Sequence, residues 1–138
     1  TMEKKDLEAV VAIQGTIIQG PVSSAWQAGL ASQAANDSSR CLVAVENDQV
    51  IGFVMGEVKN GAFGADRTGW LGYVGVSPKR MGQAIGRALA SALFELFAQE
   101  GVKNVYTAVQ WDSVDMLSFF KSLGFDRSNF INLCKRLK

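Results

Sequence analysis

The 138-residue sequence contains no histidine. That excludes a Ser-His-Asp or Cys-His catalytic unit, a His-ligated zinc and an imidazole general base. Proton transfer then falls to a carboxylate, Tyr, Cys, Lys, the substrate or water. Cysteine is scarce too. Cys41 and Cys134 lie far apart, form no CxxC and support neither a metal site nor a disulfide framework. Both sit in apolar runs that read as strands, so buried reduced thiols and a cytoplasmic location are expected. No apolar run approaches the ~20 residues of a membrane span, and the polar opening Thr1-Met2-Glu3-Lys4-Lys5 has no signal-peptide core. Neither sign of charge is in excess: 14 Lys plus Arg stand against 13 Asp plus Glu. No global field draws the chain to nucleic acid or to a membrane surface.

What is present suits one domain over residues 1–138, with enough apolar side chains (48%) for a real core. Helical periodicity begins almost at once, which leaves room for a strand ahead of residue 1. Asp6 reads as the start of a helix with Leu7, Val10, Val11, Ile17 and Ile18 on one face. Pro21 opens a second helix over Val22 to Ala35. Cys41 to Glu46 and Gln49 to Val58 read as a hairpin around Asn47-Asp48. Lys59 to Arg67 is a glycine-containing loop and Thr68 to Val76 a third strand. A bulge or a close ligand approach is expected at Gly75. A strongly periodic helix (Ile85, Leu89, Leu93, Leu96, Phe97) ends at Gly101. Val102 to Val109 reads as a strand. A helix over Val114 to Leu123 follows, capped by Asp112 or Ser113 and stopped by Gly124. Phe130 to Leu137 has strand character. The order α-α-β-β-β-α-β-α-β predicts an α/β domain with a mixed sheet.

The strand-turn-helix at 68–97 concentrates the chemical signals. A helix N-terminus offers unpaired amides and partial positive charge, and Gly82 and Gly86 would let a phosphate approach them. Arg67, Lys79, Arg80 and Arg87 accompany it, with no acid until Glu95. The alternative is an ordinary glycine turn with solvated basic residues. Neither GxxxxGK(S/T) nor GxGxxG is present.

Gln83-Ala84-Ile85-Gly86-Arg87-Ala88 instead fits Q/R-x-x-G-x-G/A. Preceded by Gly75-Val76-Ser77-Pro78 and followed by DMLSFFKSLGF, it resembles the GCN5-related N-acetyltransferase (GNAT) superfamily over nearly the whole chain. The resemblance implies the acyl-CoA N-acyltransferase fold, a mixed central sheet with helices on both faces. It implies acetyl-CoA as cosubstrate, with no metal, and an amine acceptor attacking the thioester directly. The pantetheine arm would pair with Val74, Gly75 and Val76, and the pyrophosphate would sit on Gly82, Gln83, Ala84, Ile85, Gly86 and Arg87. The strands at 68–76 and 103–109 would splay apart, and the Val74 or Val76 amide would face the oxyanion. Nucleic acid and membrane are not implied as partners, and a homodimer stays open.

The sequence departs from the family pattern at the catalytic acid. The family's usual tyrosine is Phe120, and its asparagine seven residues earlier is Ser113; both positions stay in the coenzyme-binding set. The strand at 68–76 holds no carboxylate. Substitute groups are Tyr73, Tyr106 and Glu57, each with a packing or solvated alternative, and Asp112, which also suits a helix cap. Trp70, Trp111 and Phe119 are candidates for the acceptor side or for core. The competing reading is a GNAT-fold CoA-binding regulatory module without catalysis.

Overall fold

The computed structural model describes residues 1–36, 39–64, 66–80 and 84–137. They form two units, Thr1–Thr107 and Ala108–Lys138. In the first unit, helices α1 (Leu7–Ile18) and α2 (Ser24–Ala34) precede strands β1 (Ser39–Glu46), β2 (Gln49–Asn60) and β3 (Arg67–Val76). Helix α3 (Ile85–Gln99) and strand β4 (Val105–Tyr106) follow. The sheet order is β1-β2-β3-β4, with β1–β2 and β2–β3 antiparallel and β3–β4 parallel. This is the expected mixed sheet.

Local chemistry explains the boundaries. Asp6 Oδ2 accepts from the Glu3 amide at 2.8 Å, which satisfies a donor ahead of α1. The Ser23 hydroxyl accepts from the Trp26 amide at 3.1 Å and caps α2. Pro21 therefore lies ahead of the helix and does not open it. Asn47 and Asp48 have φ of 52° and 63°, the two left-handed residues that a tight hairpin requires. Gly101 (φ 81°) follows α3, with the Val102 amide returning to the Phe97 carbonyl.

Side-chain alternation along β2 separates two cores. Toward α3 lie Val54, Val58 and Leu71, packed with Leu89, Ala90, Leu93 and Phe97. Here the sheet supplies glycine and the helix supplies bulk. A Cβ on Gly56 would stand 2.6 Å from Leu93 Cδ1, and one on Gly69 would stand 2.7 Å from Phe97 Cδ2. Toward α1 and α2, Met2, Val10, Ile13, Leu30, Cys41, Phe53 and Met55 form one cluster. Helices thus cover both faces.

Expectations along β3 and β4 are corrected. The β3 irregularity is at Gly72, because Met55 pairs with Tyr73 while Gly56 pairs with Leu71. Gly75 pairs regularly with Phe53. A Cβ there would meet the Phe53 ring at 2.5 Å and Ile17 Cδ1 at 2.9 Å, so close packing explains that glycine. β4 holds two residues where eight were expected (102–109), and its ladder ends at Trp70–Tyr106, just before the bulge bends β3.

In the second unit, α4 (Val114–Ser122) ends on Gly124 (φ 96°), and residues 125–137 form no strand. Apolar and aromatic residues supply strand propensity, but a strand also needs a paired neighbour. Ile131, Leu133 and Leu137 are exposed there, and so is Cys134, against the expectation of a buried thiol. Cys41 is buried as expected, and burial raises its pKa against a lowering hydrogen bond from Gly56. No helix among the described residues is long and apolar enough to cross a membrane.

Candidate active site

The amide of Ser77 donates to the Ile51 carbonyl at 2.8 Å, so Ser77 turns its backbone groups toward β2. In an antiparallel ladder this orientation alternates. Gly75, opposite Phe53, also faces β2. Val74 and Val76 turn their N–H and C=O groups the other way, to the outer edge. Beyond Leu71 that edge has no strand partner among the described residues. Before the bulge the same edge is occupied: the Gly69 amide donates to the Asn104 carbonyl, and Thr107 Oγ1 donates to the Leu71 carbonyl. β3 is therefore half paired and half open, with the change at Gly72.

β3 leads through Ser77 and a short 3-10 turn (Pro78–Arg80) toward α3. Gly82 and Gln83 lie outside the described residues. Ala84 holds a left-handed conformation (φ 60°) at the α3 N-cap and makes no side-chain cap bond. Among the described residues the first intrahelical bond runs from the Ala88 amide to the Ala84 carbonyl, so the Ile85 and Gly86 amides belong to the turn that a helix cannot satisfy itself. The basic run around it is partly neutralised. Arg80 pairs with Glu46 at 2.5 Å. Arg67 donates to the Glu100 carbonyl at 2.8 Å and lies 3.6 Å from its carboxylate. Arg40 grips that carboxylate with Nε and Nη2. The Arg40 hydrogen bond holds the Glu100 pKa below the usual carboxylate range. This network ties the end of α3 to the starts of β1 and β3, and residue spacing gave no sign of it.

On the sheet face that carries α1 and α2, Glu57 stands opposite Trp70, and Tyr73 stands opposite Met55, the next position on that face of β2. Tyr106 stacks on Trp70 at 5.1 Å between centroids. Phe63 closes on both, at 4.9 Å from Tyr106 and 5.5 Å from Trp70. Lys59 Nζ sits 4.5 Å over the Trp70 ring. Trp70 Nε1 donates to Thr68 Oγ1 at 2.8 Å, which fixes the indole. Tyr73 is 46% exposed and meets the Trp26 ring edge-on at 5.6 Å. Trp26 Nε1 is buried with no acceptor among the described residues. The three catalytic candidates Glu57, Tyr73 and Tyr106 thus share one face beside the point where β3 opens. Phe63 and Trp26 were not singled out for this site from sequence.

In the second unit Ser113 is the N-cap of α4 by backbone position, without a side-chain cap bond. Phe120 is buried, with its ring 5.4 Å from both Phe119 and Phe125. It offers no proton. Trp111 is 87% exposed.

The sequence profile described as the acetyltransferase (GNAT) family matches residues 10–125. The chain belongs to the GNAT family. That match runs through both units. A mycothiol acetyltransferase from Amycolatopsis mediterranei is 34% identical over 94 residues, 66% of this chain and 31% of that protein. One from Renibacterium salmoninarum is 30% identical over 110 residues, 79% of this chain and 32% of that protein. The chain spans about a third of the length of these curated relatives. Among solved structures, aminoglycoside N-acetyltransferase AAC(6')-Iy in complex with CoA superposes with a TM-score of 0.82 at 15% identity. It covers 99% of this chain and 92% of that one. The GNAT fold is thereby shown. Among the described residues no group of three or more Cys, Asp or Glu is placed to hold a metal ion.

Proposed function

We propose that this GNAT chain transfers the acetyl group of acetyl-CoA to a primary amine, as one acetyltransferase domain over residues 1–138. The open edge of β3 carries the reading. Val74 and Val76 aim amide and carbonyl groups outward, directly before the turn into α3. An extended amide-bearing pantetheine arm could bond there as a strand would, and the diphosphate would meet the amides from Ala84 to Arg87, with Gly82 and Gln83. Gly75 serves packing, since its own polar groups face β2. Ser113 and Phe120 remain candidates to touch the coenzyme. The relatives support the class: mycothiol and aminoglycoside acetyltransferases are named for acetyl transfer. The acceptor is a small amine, a peptide or a protein N-terminus, and a cytoplasmic location fits this chemistry.

In the reaction the ammonium first loses a proton, because an alkyl amine is mostly protonated at pH 7. The amine nitrogen attacks the thioester carbonyl, and the oxyanion is held by the Val74 or Val76 amide. The C–S bond breaks as the amide forms, and the thiolate leaves to become the CoA thiol. Glu57 draws the ammonium in and relays its proton through water. Tyr73 supplies a proton to the thiolate, and Tyr106 is the second hydroxyl in reach of this face.

The test is direct. Acetyl-CoA should raise Tm by roughly a few degrees at saturation, and thiol release should follow addition of an amine. Gly86→Glu should abolish the shift in a folded protein. Tyr73→Phe should slow thiol release by about 100-fold; unchanged turnover removes Tyr73 from the mechanism. Binding without turnover across a broad amine panel would favour a CoA-binding regulatory module, the reading that the hydroxyl-free Phe120 supports.

A further inference from the structure

The loop between β2 and β3 is built to hold one aromatic ring in place. Gly61, Phe63 and Gly64 all have positive φ (78°, 56° and 74°). Gly61 donates to the Asp66 carbonyl and Gly64 to the Gly61 carbonyl, which straps the loop closed. A bulky residue in the left-handed region is strained and persists only when its surroundings over-determine it. At Phe63 the surroundings are Trp70 and Tyr106. The ring is nevertheless 44% exposed, so its outer side still meets solvent. Glu57, opposite Trp70, is the one carboxylate that β2, β3 and β4 present on this face among the described residues. Lys59 holds a positive charge over the same indole.

These observations point to a specificity. We infer that Phe63, Trp70 and Tyr106 form the platform for the acceptor, and that it selects a primary monoamine carrying a flat apolar group, of the arylalkylamine kind. The inference rests on the acetyl-transfer reading above. The flat group lies against the outer side of Phe63 and the edge of Tyr106, which removes apolar surface from water. The ammonium is attracted to Glu57, which stands opposite Trp70, two residues before the opening at Gly72. A polycation such as an aminoglycoside or a polyamine meets a single carboxylate and is repelled by Lys59. The acceptor chemistry of this chain then differs from that named for its aminoglycoside-acetylating structural neighbours.

The experiment compares 2-phenylethylamine, propylamine and spermidine with the purified chain and acetyl-CoA, by thiol release and by calorimetric binding to the protein–CoA complex. The aromatic amine should show kcat/KM and affinity roughly tenfold or more above propylamine, the scale of a hydrophobic side-chain contact, with spermidine lowest. Phe63→Gly, which suits the left-handed backbone, should raise KM for the aromatic amine about fivefold or more with kcat and the acetyl-CoA Tm shift retained. Lys59→Gln should raise the spermidine rate relative to the aromatic amine. Equal use of the aromatic amine and propylamine, preference for spermidine, or an unchanged KM in Phe63→Gly would overturn the platform. Aromatic-amine binding without thiol release would count against acetyl transfer alone and leave the platform standing.

Discussion

The two faces of the sheet are built by opposite means. Toward α3 the strands withdraw, presenting Gly52, Gly56 and Gly69, and the helix fills the space with Leu89, Leu93 and Phe97. Toward α1 and α2 the strands themselves carry the large and polar groups: Phe53, Met55, Glu57, Trp70 and Tyr73. The first face is an apolar interlock at its centre, with the Arg40–Glu100–Arg67 ion pairs at the end of α3. The second contains an indole N–H that is buried without an acceptor among the described residues, a half-exposed tyrosine and a strained Phe63. Buried apolar side chains fill both faces, and the groups proposed for chemistry stand on the second, where a site would accept local cost for geometry.

The largest test of that division is Leu93→Ala, which empties a fully buried position beneath Gly56. It should cost roughly 2–5 kcal/mol, read from the urea midpoint. Gly56→Ala comes next, at about 1–3 kcal/mol, because the new methyl meets Leu93 and also the Arg40 carbonyl at 2.9 Å. A neutral result for either would mean that the α3 face is looser than its glycines indicate.

Smaller still is Glu100→Gln, at about 1 kcal/mol near neutral pH for an ion pair that keeps part of its contact with solvent. The sign of its pH dependence follows from the lowered pKa. The Glu100 contribution is present above the ordinary carboxylate value of about 4.3 and is lost as pH falls through the lower folded value. The variant should therefore lose less stability than the parent between neutral and acid pH. Phe63→Gly should shift stability least, within about 1 kcal/mol, because relieved strain offsets lost ring contacts. The two thiols give a chemical version of the comparison: iodoacetamide should modify Cys134 in the folded protein and reach Cys41 only on unfolding.

The elements that punctuation defines were legible in the sequence. Asn47-Asp48, Gly101 and Gly124 marked the turn and two helix ends that the structure places there. The periodicity of Leu89, Leu93 and Phe97 gave the face of α3. The edge proposed for the coenzyme was named from a resemblance, and which of Val74, Gly75 and Val76 turn their polar groups outward emerges only from the ladder's hydrogen-bond phase. Features made by distant residues were not legible. Arg40, Arg67 and Glu100 meet from three elements, and Phe63 reaches Trp70 and Tyr106 through a backbone conformation that composition does not encode. Residues 130–137 have strand character, and local composition does not reveal whether a neighbour will pair.

Gly72 leads to one last consequence. Leu71 faces α3 and Tyr73 faces α1 and α2, which is the sequence of sides that an uninterrupted strand would produce without the intervening residue. Removing Gly72 would join two segments already in phase, and every partner across β2 would be kept. A one-codon deletion should thus yield a chain that still folds, with β3 straightened and the outer edge no longer bent away. The extra residue is superfluous to assembly, and its loss should register in coenzyme affinity far more than in melting.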